Sequence, residues 1–313
     1  MRLYLGSPMA CSRIPFPYFL CGICSAAFLL TSVPGRGQTT IASDTFELGD
    51  HPTGNRTVTT GGTDGIVFYT HNSTGASYSP GIVSDPTFGS LVLNNNDSTT
   101  GSAGEEIIGL LPTAVTLVNP NDFITLNFSF RYLNVATASA NSAGFRFGIE
   151  SSNGTVLTGD NHGTTADDDL GYYIQNGVGT TAPAGGNTFY NEAGGTAPIL
   201  GGTDRAVINA TTSGVAINDD LIHTASFTIT LLSATSIKLS MVLDGTTTVQ
   251  TNASTTNIRT TFDEIAFGDG FVTSPVQFNL DNVQVVSNVV PEPGSAALLA
   301  ASSLLLLARC RRR

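Results

Sequence analysis

The chain has 313 residues, a formal net charge of −11, 34 glycines, 14 prolines and no tryptophan. Between the two ends, positions 38–288 hold six basic residues against 23 acidic ones, which excludes nucleic acid as a natural partner, because phosphate binding needs a basic face. All four cysteines (Cys11, Cys21, Cys24 and Cys310) fall in the ends, so 38–288 carries neither disulfides nor thiol chemistry.

In chain order, the first segment reads as an export signal. Arg2 and Arg13 make a positive region, Tyr18 to Val33 an apolar one, and Gly35-Arg36-Gly37 a small-residue cleavage site. Residues 1–37 are therefore expected to be an N-terminal signal peptide, with signal peptidase and the general secretion machinery as partners. A transmembrane anchor is the alternative, but the apolar run is short for a span.

Residues 38–288 are rich in Thr, Ser, Asn and Gly, which favour strands and turns over helix interiors. No helical periodicity stands out. About 250 residues suit one large domain. Ala42 to Glu47 opens it and is expected to lie near the closing strand, Asn279 to Val285. Ile124, Leu126, Phe128, Phe130 and Tyr132 alternate with polar neighbours, as do Phe145, Phe147 and Ile149, which predicts half-buried strands. Phe227 to Leu231 and Ile237 to Leu243 predict a long hairpin around Ser233-Ala234-Thr235. Asp244-Gly245 predicts a second turn into Thr247 to Thr251. In the last strand, Val276, Phe278 and Leu280 share one phase and Val283 and Val285 the other, so a bulge is expected at Asp281-Asn282. Loops are expected at 48–64, 71–89, 94–104, 158–169 and 177–204.

The pattern predicts an all-β fold, an antiparallel β-sandwich. From Phe227 onward, the long hairpin, Leu243-Asp244-Gly245, Phe262-Asp263-Glu264-Ile265-Ala266-Phe267 and Asp281-Asn282-Val283 resemble a concanavalin A-like (laminin G-like) jelly roll. That resemblance implies a class that includes lectins and glucanases.

Candidate sites follow. Retaining glycosidases need two carboxylates about 5 Å apart. Glucanases of the resembled fold set them along one strand, and no such run is present. Glu105-Glu106 and Asp263-Glu264 are adjacent, so each pair would face opposite sides of a strand. The four histidines stand singly, which argues against zinc. Calcium suits the oxygen-rich loop Asp167-Asp168-Asp169, with Asp160 close by, and Asp44 with Asp281 is a second candidate. A solvated acidic loop and strand-end capping are the respective alternatives. Tyr172, Tyr173 and Tyr190 are candidate glycan contacts, since aromatic rings make sugar platforms. Adjacent Tyr172 and Tyr173 must face opposite ways, so one belongs to the core.

The tail, 289–313, has three parts. Val290, Pro291, Glu292, Pro293, Gly294 and Ser295 form a motif, 296–308 an apolar run, and Arg309, Arg311, Arg312 and Arg313 a basic end. Proline stops the helix at the motif, leaving a marginal span whose arginines stay cytoplasmic. This tail resembles a PEP-CTERM sorting signal, found in Gram-negative bacteria that make extracellular polysaccharide. The resemblance implies recognition and cutting near the motif by an exosortase, a membrane-embedded cysteine transpeptidase. An ordinary membrane anchor is the alternative. A GPI signal normally lacks a basic terminus. Seven Asn-x-Ser/Thr sequences, at Asn55, Asn72, Asn96, Asn127, Asn153, Asn209 and Asn252, arise from composition.

The expectation is an exported protein, held for a time at the inner membrane by its C-terminal helix and then released to the cell surface or extracellular matrix. It would be non-catalytic, associating with exopolysaccharide in a biofilm matrix or acting in adhesion. A calcium-dependent, lectin-like module is the alternative, and a divergent glycoside hydrolase the third reading.

Overall fold

A computed structural model describes residues 37–47, 65–72, 80–95, 105–135, 143–160, 168–179, 187–194, 200, 205–210, 216–253, 258–270 and 277–289. The chain divides into two compact units, Met1–Gly37 and Gln38–Arg313, and the fold below is that of the second. The predicted signal peptide (Gly37 apart), the sorting motif and the basic end lie outside the described residues, as does Asp167. Among the described residues no helix is long and apolar enough to cross a membrane.

The described elements are strands: β1 (Thr39–Asp44), β2 (Val67–Asn72), β3 (Gly81–Asp85), β4 (Ser90–Asn94), β5 (Glu105–Thr116), β6 (Phe123–Leu133), β7 (Ala143–Ser151), β8 (Leu170–Asn176), β9 (Thr188–Glu192), β10 (Arg205–Ala210), β11 (Ile222–Ser233), β12 (Ser236–Leu243), β13 (Thr246–Ala253), β14 (Thr261–Gly270) and β15 (Gln277–Ser287). They form two antiparallel sheets. Sheet A runs β13-β12-β11-β6-β15-β4-β3, with β1 also on β15; sheet B runs β10-β9-β8-β7-β14-β5-β2. The protein is an all-β antiparallel sandwich.

The expected long hairpin is β11–β12, with Phe227 opposite Met241. Asp244 and Gly245, at φ 46° and 81°, make the β12–β13 turn, both in the left-handed region that a two-residue hairpin loop demands. The bulge at Asp281-Asn282 is present, and it has a topological role. Along one edge β15 stays paired with β6, and its register slips between Asp281 and Gln284. Along the other edge β15 pairs with β4 at Asn279 and Leu280, then with β1 from Val283 onward. The bulge thus sits where one neighbour replaces another, and it keeps Phe278, Leu280, Val283 and Val285 all buried. The first and last strands meet, as expected, with Asp44 opposite Val283.

Two segments expected as loops contain strands: β3 inside 71–89 and β9 inside 177–204. Beyond Glu105-Glu106, β5 was not marked as a strand either. In β5, Glu106, Ile107 and Ile108 are all buried, and four of the five β9 residues are. A strand covered on both faces loses the period-two alternation by which strands are recognised.

The core lies between the sheets. Phe128 sits at its centre, with Phe147 and Phe267 edge-on at 4.9 and 5.0 Å and Phe130 and Phe145 at 5.6 and 5.9 Å. Polar clasps tie the rim. Asp85 accepts from Arg131 Nη1 at 3.2 and 3.1 Å, from Asn279 Nδ2 at 2.5 Å and from the Thr87 amide at 2.8 Å. His223 sits between Asp244 (2.6 Å) and Asp219 (3.2 Å).

Candidate functional site

Strand register assembles the site. On the face of sheet B turned away from the core, residues opposite one another on adjacent strands form three rows. One row reads His71, Glu106, Gly268, Arg146, Gln175, Thr188 across β2, β5, β14, β7, β8 and β9. The middle row reads Tyr69, Ile108, Ala266, Gly148, Tyr173, Tyr190. The third reads Val67, Leu110, Glu264, Glu150, Gly171, Glu192, and ends at Arg205 on β10. Every second residue of each strand shares this face.

The middle row dips between Tyr173 and Ile108, where Gly148 and Ala266 are small, and this hollow is filled: the Glu150 carboxyl group lies over Gly148. Tyr173 stacks on Tyr190 at 4.9 Å and 14°, and the Arg205 guanidinium lies 4.7 Å over the Tyr190 ring. Arg205 also donates to the Tyr173 hydroxyl at 3.3 Å. Arg205 thus touches both rings of the stack. The Gly148 side of Tyr173 is closed by Glu150: a Cβ on Gly148 would lie 2.5 Å from Glu150 Oε1 and 2.7 Å from Tyr173 Cβ. Leu157 and Leu200, from two segments outside the sheet, pack into the hollow with Tyr69, Ile108, Tyr173, Tyr190 and Ala266. The segment carrying Leu157 starts where Asp263 accepts from the Ser152 amide and hydroxyl, at 2.8 and 2.7 Å. It ends where Asp160 accepts from the Thr70 amide at 3.0 Å, so it crosses the sheet to its β2 edge.

Ionisable groups flank the hollow on both sides. In the first row, Glu106 accepts from the Leu200 amide at 2.6 Å and lies 3.5 Å from His71. Arg146 donates to the Leu200 carbonyl (2.7 Å) and to Gln175 (3.1 Å). Burial pulls the Arg146 guanidinium below its usual range. In the third row Glu150 is fully buried and neither carboxyl oxygen has a hydrogen-bond partner. Its carboxyl group lies over the spaces left by Gly148 and Gly171, where a Cβ would collide with it. Burial, then the charges of Glu192, Glu106 and Glu264, push Glu150 well above the carboxylate range. Glu264 hydrogen-bonds Asp169, and burial raises both. Two carboxyl groups in contact share a proton, because both cannot ionise at that distance.

The residues predicted from sequence fall as follows. Tyr173 and Tyr190 share the sheet B face. Tyr172 points into the core, where its hydroxyl accepts from the Arg259 amide at 3.0 Å; strand alternation separates it from Tyr173. Tyr190 lies within β9 rather than beside a loop. Asp169 is buried against Glu264, whereas Asp168 accepts from Thr155 Oγ1 at 3.1 Å. Asp44 accepts from the Phe46 amide at 2.8 Å, and Asp281 from Ser90 (3.2 Å) and the Asn282 amide (2.8 Å). Among the described residues no three of His, Cys, Asp or Glu are grouped to hold a metal ion.

Sequence reasoning missed Glu106, Glu150, Glu192, Glu264, Arg146 and Arg205 as members of one face. It looked for carboxylates along a single strand, and here they come from different strands. The available signal was a lone acid or arginine inside each strongly apolar strand, as in Phe145-Arg146-Phe147.

On the outer face of sheet A, a groove of ≈ 290 Å³ is lined by Asn127, Ser129, Thr224, Ser226, Val242 and Asn282 among others, without an ionisable group.

No protein-family model matches this chain. No curated protein matches it. Among solved structures, it is similar to a carbohydrate esterase from the Shiga toxin-encoding bacteriophage phi24B, with 16% identity, 81% of this chain and 100% of that chain covered, and a TM-score of 0.42. It is similar to lectin II from Ulex europaeus, with 12% identity, 72% and 93% covered and a TM-score of 0.41. It is also similar to alginate lyase Aly36B in complex with alginate tetrasaccharide, with 14% identity, 79% and 97% covered and a TM-score of 0.43.

Proposed function

We propose that this chain is an exported cell-surface or matrix protein that binds carbohydrate, without cleaving it, in the sheet B hollow. The observation that carries this is the hollow itself: an aromatic wall at Tyr173, a floor of Gly148 and Ala266, and rows of polar groups on both sides. Sugar recognition needs an apolar face for the ring and fixed polar partners for its hydroxyls, and both are set there on rigid strands. A saccharide that takes the hollow replaces the side chains of Leu157 and Leu200.

Binding without cleavage is favoured by the sequence, in which no single strand carries the run of carboxylates that glucanases of the resembled fold use. The sorting route belongs to the same proposal: the Val290 to Ser295 motif and the terminal arginines support processing by an exosortase and association with exopolysaccharide.

Two measurements test this. A glycan array probed with the full chain, with and without EDTA, is expected to show saturable binding that Tyr173→Ala weakens. Absence of binding overturns the carbohydrate reading, and the EDTA arm decides whether calcium takes part. The intact mass of the exported protein is expected to place its C-terminus within 290–295; a mass that retains the arginines overturns the sorting route.

A further inference from the structure

We propose that the end of the sandwich at which β15 stops is a lipid-contact surface, which lies against the membrane while the apolar run 296–308 is in it. This rests on the sorting route proposed above and adds an interaction surface on the β domain itself.

The argument starts from where the chain leaves the fold. Strand register gathers one end of the sandwich there: Ser287 lies opposite Thr39 and Ile124, Phe123 opposite Thr230, and Thr116 opposite Thr261. Asn288 holds the departing chain. Its Oδ1 accepts from the Phe123 amide at 2.7 Å, and its Nδ2 donates to the Asn121 carbonyl at 2.9 Å. Val289 packs against the core, so no slack remains before the Val290 to Ser295 motif. From Val289 to Ala296 an extended chain spans at most about 25 Å. A domain on so short a tether cannot stand far from a bilayer that holds 296–308, and its exit end is the end that faces the lipid.

Charge and apolar exposure mark the same end. The segments 38–43, 114–125, 228–240, 249–262 and 284–289, which meet there, hold one acid, Asp122, and two bases, Lys238 and Arg259, in a domain with 23 acids. Asp122 is buried and accepts from the Val118 and Asn119 amides at 2.9 and 2.7 Å. The acids that sheet B brings to this level are drawn inward or tied: Asp169 and Glu192 are buried, Asp263 accepts from Ser152 and Asp168 from Thr155. Beside the exit, Val118 is 69 % exposed and Leu232 37 %. The Asn121 amide donates to the Leu231 carbonyl at 2.7 Å, which ties the loop carrying Val118 to the strand end carrying Leu232. The opposite end also exposes apolar side chains, Leu221 and Ile222, but these follow Asp219 and Asp220 directly, and the Asp244 amide is bonded to the Thr224 carbonyl close by. An anionic lipid surface repels that end and attracts the exit end, where Val118 and Leu232 gain by leaving water.

The test reconstitutes the full chain in phosphatidylcholine–phosphatidylglycerol vesicles that carry a photoactivatable phospholipid, and maps the lipid cross-links by mass spectrometry. Cross-links are expected in 296–308 and also in 117–121 and 232–235, with about tenfold fewer at Leu221 and Ile222. Exchanging Val118 and Leu232 together for glutamate is expected to remove the cross-links in 117–121 and 232–235 and to keep those in 296–308. The wild-type map alone decides the orientation, so a misfolded double variant does not block the test. Cross-links confined to 296–308 overturn the proposal and leave the sorting route standing. Equal labelling at Leu221 and Ile222 overturns the end-on orientation. Labelling of 117–121 that survives in the double variant overturns the apolar contact. If 296–308 takes no cross-link, this proposal and the membrane stage of the sorting route fall together.

Discussion

Glu150 on β7 and Glu264 on β14 are register partners, and both carboxyl groups are buried on the face of sheet B that turns away from the core. The two acids are 114 positions apart in sequence, and only strand pairing makes them neighbours. Their shared environment makes stability depend on pH in a definite direction.

Glu150, Asp169 and Glu264 hold their protons more tightly folded than unfolded, because burial first, and then the charges of neighbouring acids, raise them. Their contribution is complete below the ordinary carboxylate range, about pH 4, and is lost as pH rises through the raised values. Asp85 is shifted the other way: its hydrogen bonds outweigh burial, so its contribution is lost only in acid below that range. The melting temperature is therefore expected to fall from pH 5 to pH 8. Glu264→Gln and Glu150→Gln are each expected to flatten the fall. A wild-type melting temperature that rises over this interval would contradict the buried carboxyl cluster.

Gly148 and Gly171 leave the space into which the Glu150 carboxyl group folds. Alanine at either position is expected to destabilise by about 1–3 kcal/mol through overpacking. Part of the clash is with Glu150 and part with neighbouring backbone, so Glu150→Ala should relieve the loss only partly. A double-mutant cycle by urea denaturation reads the coupling, and strict additivity would show that the carboxyl group is not there.

Leu157 fills the hollow that the proposed saccharide would take. Leu157→Ala is expected to lower stability by about 2–5 kcal/mol and to tighten saccharide binding, since the competing side chain is gone. Opposite signs in the two measurements separate a competitor from an ordinary packing residue, for which affinity would be unchanged or weaker.

Tyr173 supplies the ring wall and holds Arg205 through its hydroxyl. Tyr173→Ala should weaken saccharide binding about tenfold, the scale of a lost aromatic contact. Tyr173→Phe keeps the wall and should retain most of the affinity. Equal losses in the two variants would assign the effect to the hydroxyl instead.

Phe128 sits at the centre of the core. Truncation to alanine removes four aromatic contacts at 4.9 to 5.9 Å and is expected to cost about 3–5 kcal/mol, read as a lower urea midpoint.

The sequence by itself determined the middle of sheet A, though not its edge strand β3. Its strands β6, β11 and β12 bury one face and expose the other, so alternation marked them, Asp244-Gly245 marked a turn, and the phase slip at Asp281-Asn282 marked the bulge. The expectation that nucleic acid is no natural partner, and the lack of cysteine across 38–288, also came from composition alone. Sheet B was different. Its second face is covered by Leu157 and Leu200, so β9 and the 106–109 stretch of β5 are buried on both sides and carry no alternation to read. The candidate site was hidden for the same reason. Glu106, Glu150, Glu192 and Glu264 belong to four strands, and whether they face one another depends on register, which non-local pairing and packing decide. Tyr173 was visible as an aromatic of interest, but its neighbours Gly148 and Ala266, which make the hollow, acquire meaning only once the strands are laid side by side.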